Sequence, residues 1–199
     1  SCSLVGSEMC IRDRTNITEI ERKAIIQAAE QSGGGKVYLE YEPKVAAIGA
    51  GLDIFKPSGN MVIDMGGGTS DIAILSLGDI VSSQSVRMAG DKMNTDITEY
   101  IKAKHGLVIG EHSAEQIKIK LGTALKVVEP KTMDVRGRDV ATGMPRQIQI
   151  NENEIEEALH DTLDQIVHAA IAVLETVPPE LASDITVSYT HLTLPTTPY

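Results

Sequence analysis

Tryptophan is absent from this 199-residue chain, and phenylalanine occurs once. With aromatics at 3%, the core must be aliphatic, and the stacking platforms that grip single-stranded nucleic acid are missing. Positive charge is also scarce: 18 lysines and arginines face 28 aspartates and glutamates, for a net charge of −10. Wrapping DNA or RNA by charge needs a basic face, so nucleic acid is not an expected partner. The two cysteines, Cys2 and Cys10, lie in the first ten residues. A cysteine-free body fits a reducing compartment. No run is long and apolar enough to span a bilayer, and residues 1–14 lack the apolar segment of a signal peptide. What remains is an ordinary globular composition, 42% hydrophobic, with room for one large or two small domains.

Glycine is unevenly spent, and one cluster organises the chain. Met61-Val62-Ile63-Asp64 leads into Met65-Gly66-Gly67-Gly68-Thr69-Ser70-Asp71, and Ile72-Ala73-Ile74-Leu75 leads out. Both apolar runs read as buried strands, and so short a connection makes them an antiparallel hairpin. Glycines there admit φ > 0 and close approach to a ligand, and successive backbone N–H groups form an anion-binding concavity. Thr69 and Ser70 add hydroxyl donors. Asp64, at the end of the entering strand, suits Mg²⁺ held through water beside a phosphate. Three glycines alone read as a plain turn. The flanking acids, the hydroxyl pair and a tip longer than a two-residue turn requires favour a phosphate site. No Gly-Lys-Ser/Thr follows, so it is not a Walker loop. Asp71 at the third-glycine position and a strand in place of a helix exclude the dinucleotide fingerprint.

Thr18 with Glu21 signals a capped helix that stops at Gly33-Gly34-Gly35. Val37 to Leu39 reads as a strand, and Pro43 suits the first turn of a helix to Gly49. Pro57-Ser58-Gly59 marks a turn and a hinge. A third strand is expected over Ser85–Met88, then a helix with Met93, Ile97 and Ile101 ending near Gly106. Ser113 with Gln116 signals a helix stopping at Gly122. Thr132–Arg136 and Gln147–Ile150 read as strands. Asn151 with Glu154 caps the longest helix, whose stripe is Ile155, Leu159, Ile166, Ala170 and Leu174, ended by Pro178-Pro179. Taken alone, Glu42 is a solvated residue, Glu115 and Lys118 a surface ion pair, and His160 and His168 solvated histidines. The element order is α/β and layered.

Asp64 to Asp71 resembles the second phosphate loop of the actin, sugar-kinase and heat-shock-chaperone ATPase superfamily. Glu42-Pro43-Lys44-Val45-Ala46-Ala47-Ile48-Gly49 resembles a segment of the MreB family of bacterial actins, the rod-shape-determining proteins. So do Pro57 to Val62, Ala89-Gly90-Asp91, Ile109-Gly110-Glu111, Ala114-Glu115-Gln116-Ile117-Lys118 and Pro178-Pro179-Glu180-Leu181. The likeness runs from about Thr15 to Ile185. Tyr41 replaces a usual Glu, and Ser70-Asp71 a common Thr-Glu.

The resemblance implies an actin-like ATPase fold with ribonuclease H-like lobes, present as the end of the first lobe plus most of the second. It divides the chain into 15–55 (end of the first lobe), 56–92 (second-lobe core), 93–153 (its insertion subdomain) and 154–185 (core helix). Segments 1–14 and 186–199 resemble translated adaptor sequence and are expected to stand outside the fold, making the rest an internal piece of a longer protein. The implied ligands are ATP and Mg²⁺. Gly66, Gly67, Gly68 and Thr69 hold phosphates, Asp64 the metal, and Glu115, Gln116, Ile117 and Lys118 the adenosine, while Glu42 orients the attacking water. The implied function is a cytoplasmic filament subunit and weak ATPase, associated with the inner membrane and directing cell-wall synthesis. Alternatives are a sugar or acetate kinase or a chaperone ATPase of the same superfamily. A second phosphate loop is not recognisable before Thr15, so the chain as written is expected neither to hydrolyse ATP usefully nor to form filaments.

Overall fold

The computed structural model describes residues 8–13 and 18–187. Its elements are β1 (Glu8–Asp13), α1 (Glu19–Gln31), β2 (Lys36–Tyr41), α2 (Glu42–Gly49), β3 (Asn60–Met65), β4 (Ser70–Ser76), β5 (Asp79–Val86), α3 (Gly90–His105), β6 (Leu107–Val108), α4 (Glu111–Leu121), β7 (Thr132–Asp139), β8 (Pro145–Asn151), α5 (Glu152–Glu175) and α6 (Pro179–Val187). They form two compact units. Of the described residues, the first holds those to Met65, Ser70–Val86 and Ala169–Val187; the second holds Gly66–Thr69 and Arg87–His168.

In the first unit β4 is the central strand of the antiparallel sheet β3-β4-β5 and is buried along its whole length. A strand covered on both faces reads as a continuous apolar run, which Ile72-Ala73-Ile74-Leu75 is. On one face Ile72, Ile74 and Met61 pack against Ala169, Val173 and Val177. On the other, Leu75 packs with Ala47 of α2 and Ile54. Each large aliphatic side chain in such a core carries a truncation cost of about 2–5 kcal/mol. The turn at Pro57-Ser58-Gly59 lies inside this unit. A Cβ on Gly59 would stand 2.7 Å from Leu181 O, and Gly59 N–H donates to Asp184, so α6 lies directly on it.

Glu8–Asp13 departs from expectation. It forms β1 and pairs in parallel with all of β2, from Glu8 opposite Lys36 to Asp13 opposite Tyr41. Ladder hydrogen bonds use backbone groups, so pairing along an open strand edge asks little of side-chain identity. Of the expected tail, 186–199, the first two residues belong to α6, which continues to Val187, and the rest lies outside the described residues.

The second unit pairs the sheet β6-β7-β8 with α3, α4 and the first part of α5. Met93, Ile97 and Ile101 bury the expected face of α3, which ends at Gly106 in the left-handed region (φ 62°). Asn151 and Glu154 cap α5 reciprocally. The buried stripe of α5 runs Ile155, Leu159, Thr162, Ile166, Ala169 and Val173, and the expected Ala170 and Leu174 are half-buried at its margin, packed against the same core. Alternating steps of three and four track a 3.6-residue period more closely than repeated fours. Helix α4 starts at Glu111 after an extended Gly110, so Ser113 lies in its first turn and not at its cap.

Strand β5 begins at Asp79, well before the expected Ser85. Its polar sequence hides it, and so does its turn. Leu77 (φ 52°) and Gly78 (φ 81°) both adopt left-handed φ, as a tight two-residue hairpin requires, but leucine gives no turn signal. Leu77 is 69% exposed, so nothing in packing compensates for its strained backbone. Replacing it with asparagine, Leu77→Asn, is expected to raise stability by about 1 kcal/mol. Urea unfolding checks this: the midpoint should rise at unchanged slope, and an unchanged or lower midpoint contradicts the strain.

Candidate functional site

Beyond the last pair of the β3–β4 ladder, Met65 opposite Ser70, Gly66 N–H donates to Thr69 O at 2.9 Å. The tip is therefore narrower than expected, with only Gly67 and Gly68 outside the pairing. None of Gly66, Gly67 and Gly68 takes a left-handed φ. The glycines serve room instead. A Cβ on Gly67 would meet the Asp91 carboxylate at 3.3 Å, while Gly68 has nothing within 4 Å.

The carbonyls of the tip are fixed. Gly66 O accepts the amide of Gly90 at 3.1 Å, and Gly67 O accepts that of Asp91 at 2.8 Å, capping the start of α3. In a planar trans peptide the C=O and the following N–H point opposite ways. The amides of Gly67 and Gly68 therefore point away from α3, and neither donates to any protein group among the described residues. Two successive N–H groups thus turn outward on an exposed tip, a geometry that suits an anion. Thr69 is half-buried beside them. Ser70, expected to add a hydroxyl, is instead the fully buried first residue of β4.

The same unit brings Glu115 and Lys118 to this tip. Lys118 Nζ donates to Gly90 O at 3.2 Å and to Glu115 Oε2 at 2.7 Å, tying α4 to the start of α3. Asn94 Nδ2 donates to the same Glu115 oxygen at 2.7 Å. The bonds from Lys118 and then Asn94 hold the Glu115 carboxyl below its usual range. Asn94 itself is buried, and its Oδ1 accepts no hydrogen bond. A buried acceptor without a donor is costly. Sequence reasoning missed Asn94; its signal was a polar residue inside the buried stripe Met93, Ile97, Ile101.

Two expected ligand residues fall elsewhere. Ile117 is fully buried in the core, and Gln116 lines a separate cavity against β7. On a helix, residues three apart share a face while their intervening neighbours do not, so Glu115 and Lys118 separate from the two between them.

In the first unit, Asp64 stands directly opposite Asp71 across the ladder. Both follow the parity of Val62, Ala73 and Leu75, so they occupy the sheet face that α2 covers. Asp71 is 2% exposed. Opposed carboxylates repel, and a divalent cation with oxygen ligands relieves the repulsion. Glu42 is the first residue of α2, with Pro43 behind it, where the helix dipole favours a carboxylate.

A family model described as MreB/Mbl protein matches residues 3–193. The chain belongs to the MreB/Mbl family. It is 57% identical over 171 residues to the cell shape-determining protein Mbl of Bacillus subtilis, covering 86% of this chain and 51% of that protein. It is 46% identical over 168 residues to the cell shape-determining protein MreB of Escherichia coli, covering 84% and 48%. The chain thus spans about half the length of these relatives. The crystal structure of MreB5 of Spiroplasma citri bound to AMPPNP superposes with a TM-score of 0.86 at 38% identity, covering 91% of this chain and 54% of that one. The fold is therefore the actin-like ATPase fold, present in part. No helix among the described residues is long and apolar enough to cross a membrane.

The carboxyl of Glu115 offers a direct check on the cluster. Its depressed value means that it contributes stability above 4.5, its ordinary value, which is lost as pH falls through the folded value. Lys118→Met removes the leading cause and should move the Glu115 titration upward toward 4.5, read by carboxyl-carbon NMR. An unmoved titration contradicts the assigned bond.

Proposed function

We propose that this chain is part of an ATP-binding, filament-forming bacterial actin of the cytoplasm. Its full-length form is a weak ATPase that assembles at the inner membrane and directs cell shape and cell-wall synthesis. Membership of the MreB/Mbl family and the cell-shape role named for the Bacillus and Escherichia relatives support this reading. The AMPPNP held by the Spiroplasma relative supports a nucleotide as the ligand. The observation that carries it is the pair of outward amides at Gly67 and Gly68, fixed by the carbonyl bonds to α3.

Each residue then has a role that its placement suits. Gly67 and Gly68 donate backbone N–H groups to phosphate oxygens, with the Thr69 hydroxyl beside them and Gly66 closing the turn. Lys118 supplies positive charge at the tip, and Glu115, held by Asn94, offers acceptors to ribose hydroxyls. Asp64, opposed to Asp71, holds Mg²⁺, which supplies charge neutralisation for the phosphates when bound. Glu42 aims the attacking water from the start of α2, a positioning task that a carboxylate performs by accepting its proton or its hydrogen bond.

A chimera in which this segment replaces the matching half of the Bacillus subtilis relative tests the proposal. Expected are Mg-ATP binding and ATP-dependent pelleting. In it, Asp64→Ala should weaken Mg-ATP binding at least about tenfold, the cost of one lost charged contact. A chimera that folds but binds no nucleotide overturns the reading, and unchanged Mg²⁺-dependent affinity removes Asp64 from the metal site. Glu42→Ala should leave ATP affinity intact and slow phosphate release by about ten- to a hundredfold. Lost binding with a normal rate per bound ATP contradicts the water-positioning role.

A further inference from the structure

Strand β7 is flanked by β8 along its whole length but by β6 at only two residues, Leu107 opposite Asp139 and Val108 opposite Arg138. Beyond Gly137 the β6 side of β7 is open. A Cβ on Gly137 would lie 2.5 Å from Val108 O, which marks where the covering strand leaves. From there α4 forms the opposite wall of a cavity of about 380 Å³.

Backbone parity shows what faces this cavity. Glu152 N–H donates to Lys131 O at 3.1 Å and Asp139 N–H to Met144 O at 3.0 Å, so odd-numbered residues of β7 bond to β8. Val140 N–H reaches Gly106 O at 2.8 Å on the other side, so even-numbered residues face the β6 side. Below Gly137, the N–H and C=O of Thr132, Asp134 and Arg136 therefore point along the open edge. No backbone partner meets them on that side among the described residues. The cavity lining fits: Met133, Asp134, Val135 and Arg136 are consecutive, as an edge presents them, and they are joined by Gln147 of β8, which accepts from Arg136 Nε at 2.9 Å. At about 3.3 Å per residue these four span about 13 Å, room for a short strand.

The walls are basic for a chain of net charge −10. Lys120 and His112 come from α4 and Arg136 from the edge, against the single carboxylate of Asp134. Gln116, Ser113 and Gln147 supply neutral polar groups. We propose that this groove receives an extended acidic segment of a partner protein, which adds as a strand to the open edge of β7. Main-chain hydrogen bonds to Asp134 and Arg136 hold it, and its carboxylates pair with Lys120 and Arg136. An unpaired edge beside a helix wall is the arrangement that strand addition uses, and alternate side chains of the guest then select its charge.

Amide hydrogen exchange on the full 199-residue chain tests the pairing residue by residue. The probe is a capped octapeptide alternating glutamate with valine; the control replaces glutamate with lysine. Without peptide, the amides of Asp134 and Arg136 should exchange fast and those of Met133 and Val135 slowly. Saturation with the acidic peptide should slow Asp134 and Arg136 at least about tenfold, and the lysine peptide should not. Asp134→Pro removes one groove-facing donor and spares the bonds to β8, since an edge tolerates proline. It also removes the only repelling carboxylate, so lost binding identifies the backbone, while gained binding reduces the effect to charge and overturns strand addition. If that variant fails to fold, Arg136→Glu should weaken the acidic peptide at least about tenfold, and unchanged affinity overturns the proposal. Unchanged exchange at millimolar acidic peptide overturns it, as does protection that grows with protein concentration alone, which would mean edges of two copies pairing.

Discussion

Two carbonyl groups, those of Gly66 and Gly67, accept the first amides of α3, and the direction of the tip amides depends on that capture. It satisfies helix donors that would otherwise lack partners, and it turns the next two peptide N–H groups outward. Of the three glycines only Gly67 is crowded, its Cβ position lying 3.3 Å from the Asp91 carboxylate, and none has an unusual φ angle. Lys118 then reaches Gly90 O, so one short stretch of α3 gathers the glycine tip, the ammonium group and, one turn on, Asn94. A side chain larger than hydrogen at Gly67 would push Asp91 or lift the tip, and the amides would lose their direction.

The hairpin also sets the carboxylates. Its register places Asp64 opposite Asp71, and the two-residue period puts both on the side of α2, where Glu42 begins the helix. A slip of one residue would move both acids to the face packed by α5 and α6. Register is pinned because Ile72 and Ile74 must face one apolar layer and Leu75 the other.

Much of this was legible in the chain. The hairpin, the Thr18–Glu21 and Asn151–Glu154 caps, Pro43 at the start of α2 and Gly106 at the end of α3 each rest on local chemistry written within four residues. What escaped depends on distant contacts or on rule-breaking residues. Strand β1 exists by pairing with β2 across an intervening helix. The turn at Leu77 places a leucine where asparagine or glycine is usual. In the site, a contiguous motif from Glu115 to Lys118 was read as one ligand surface, but helical geometry splits it between the tip, the core and the groove. Asn94 escaped because its partner lies on another helix.

The two-sided burial of β4 has a consequence for how the chain is made. One cover, α2, precedes the hairpin and is ready when it emerges. The other, from Ala169 through α6, is encoded roughly ninety residues later, so at usual elongation rates it arrives about 5–20 s afterwards. During that interval Met61, Ile72 and Ile74 present an apolar sheet face with no layer over it. The nascent hairpin therefore carries an uncovered apolar face until that later part has been made.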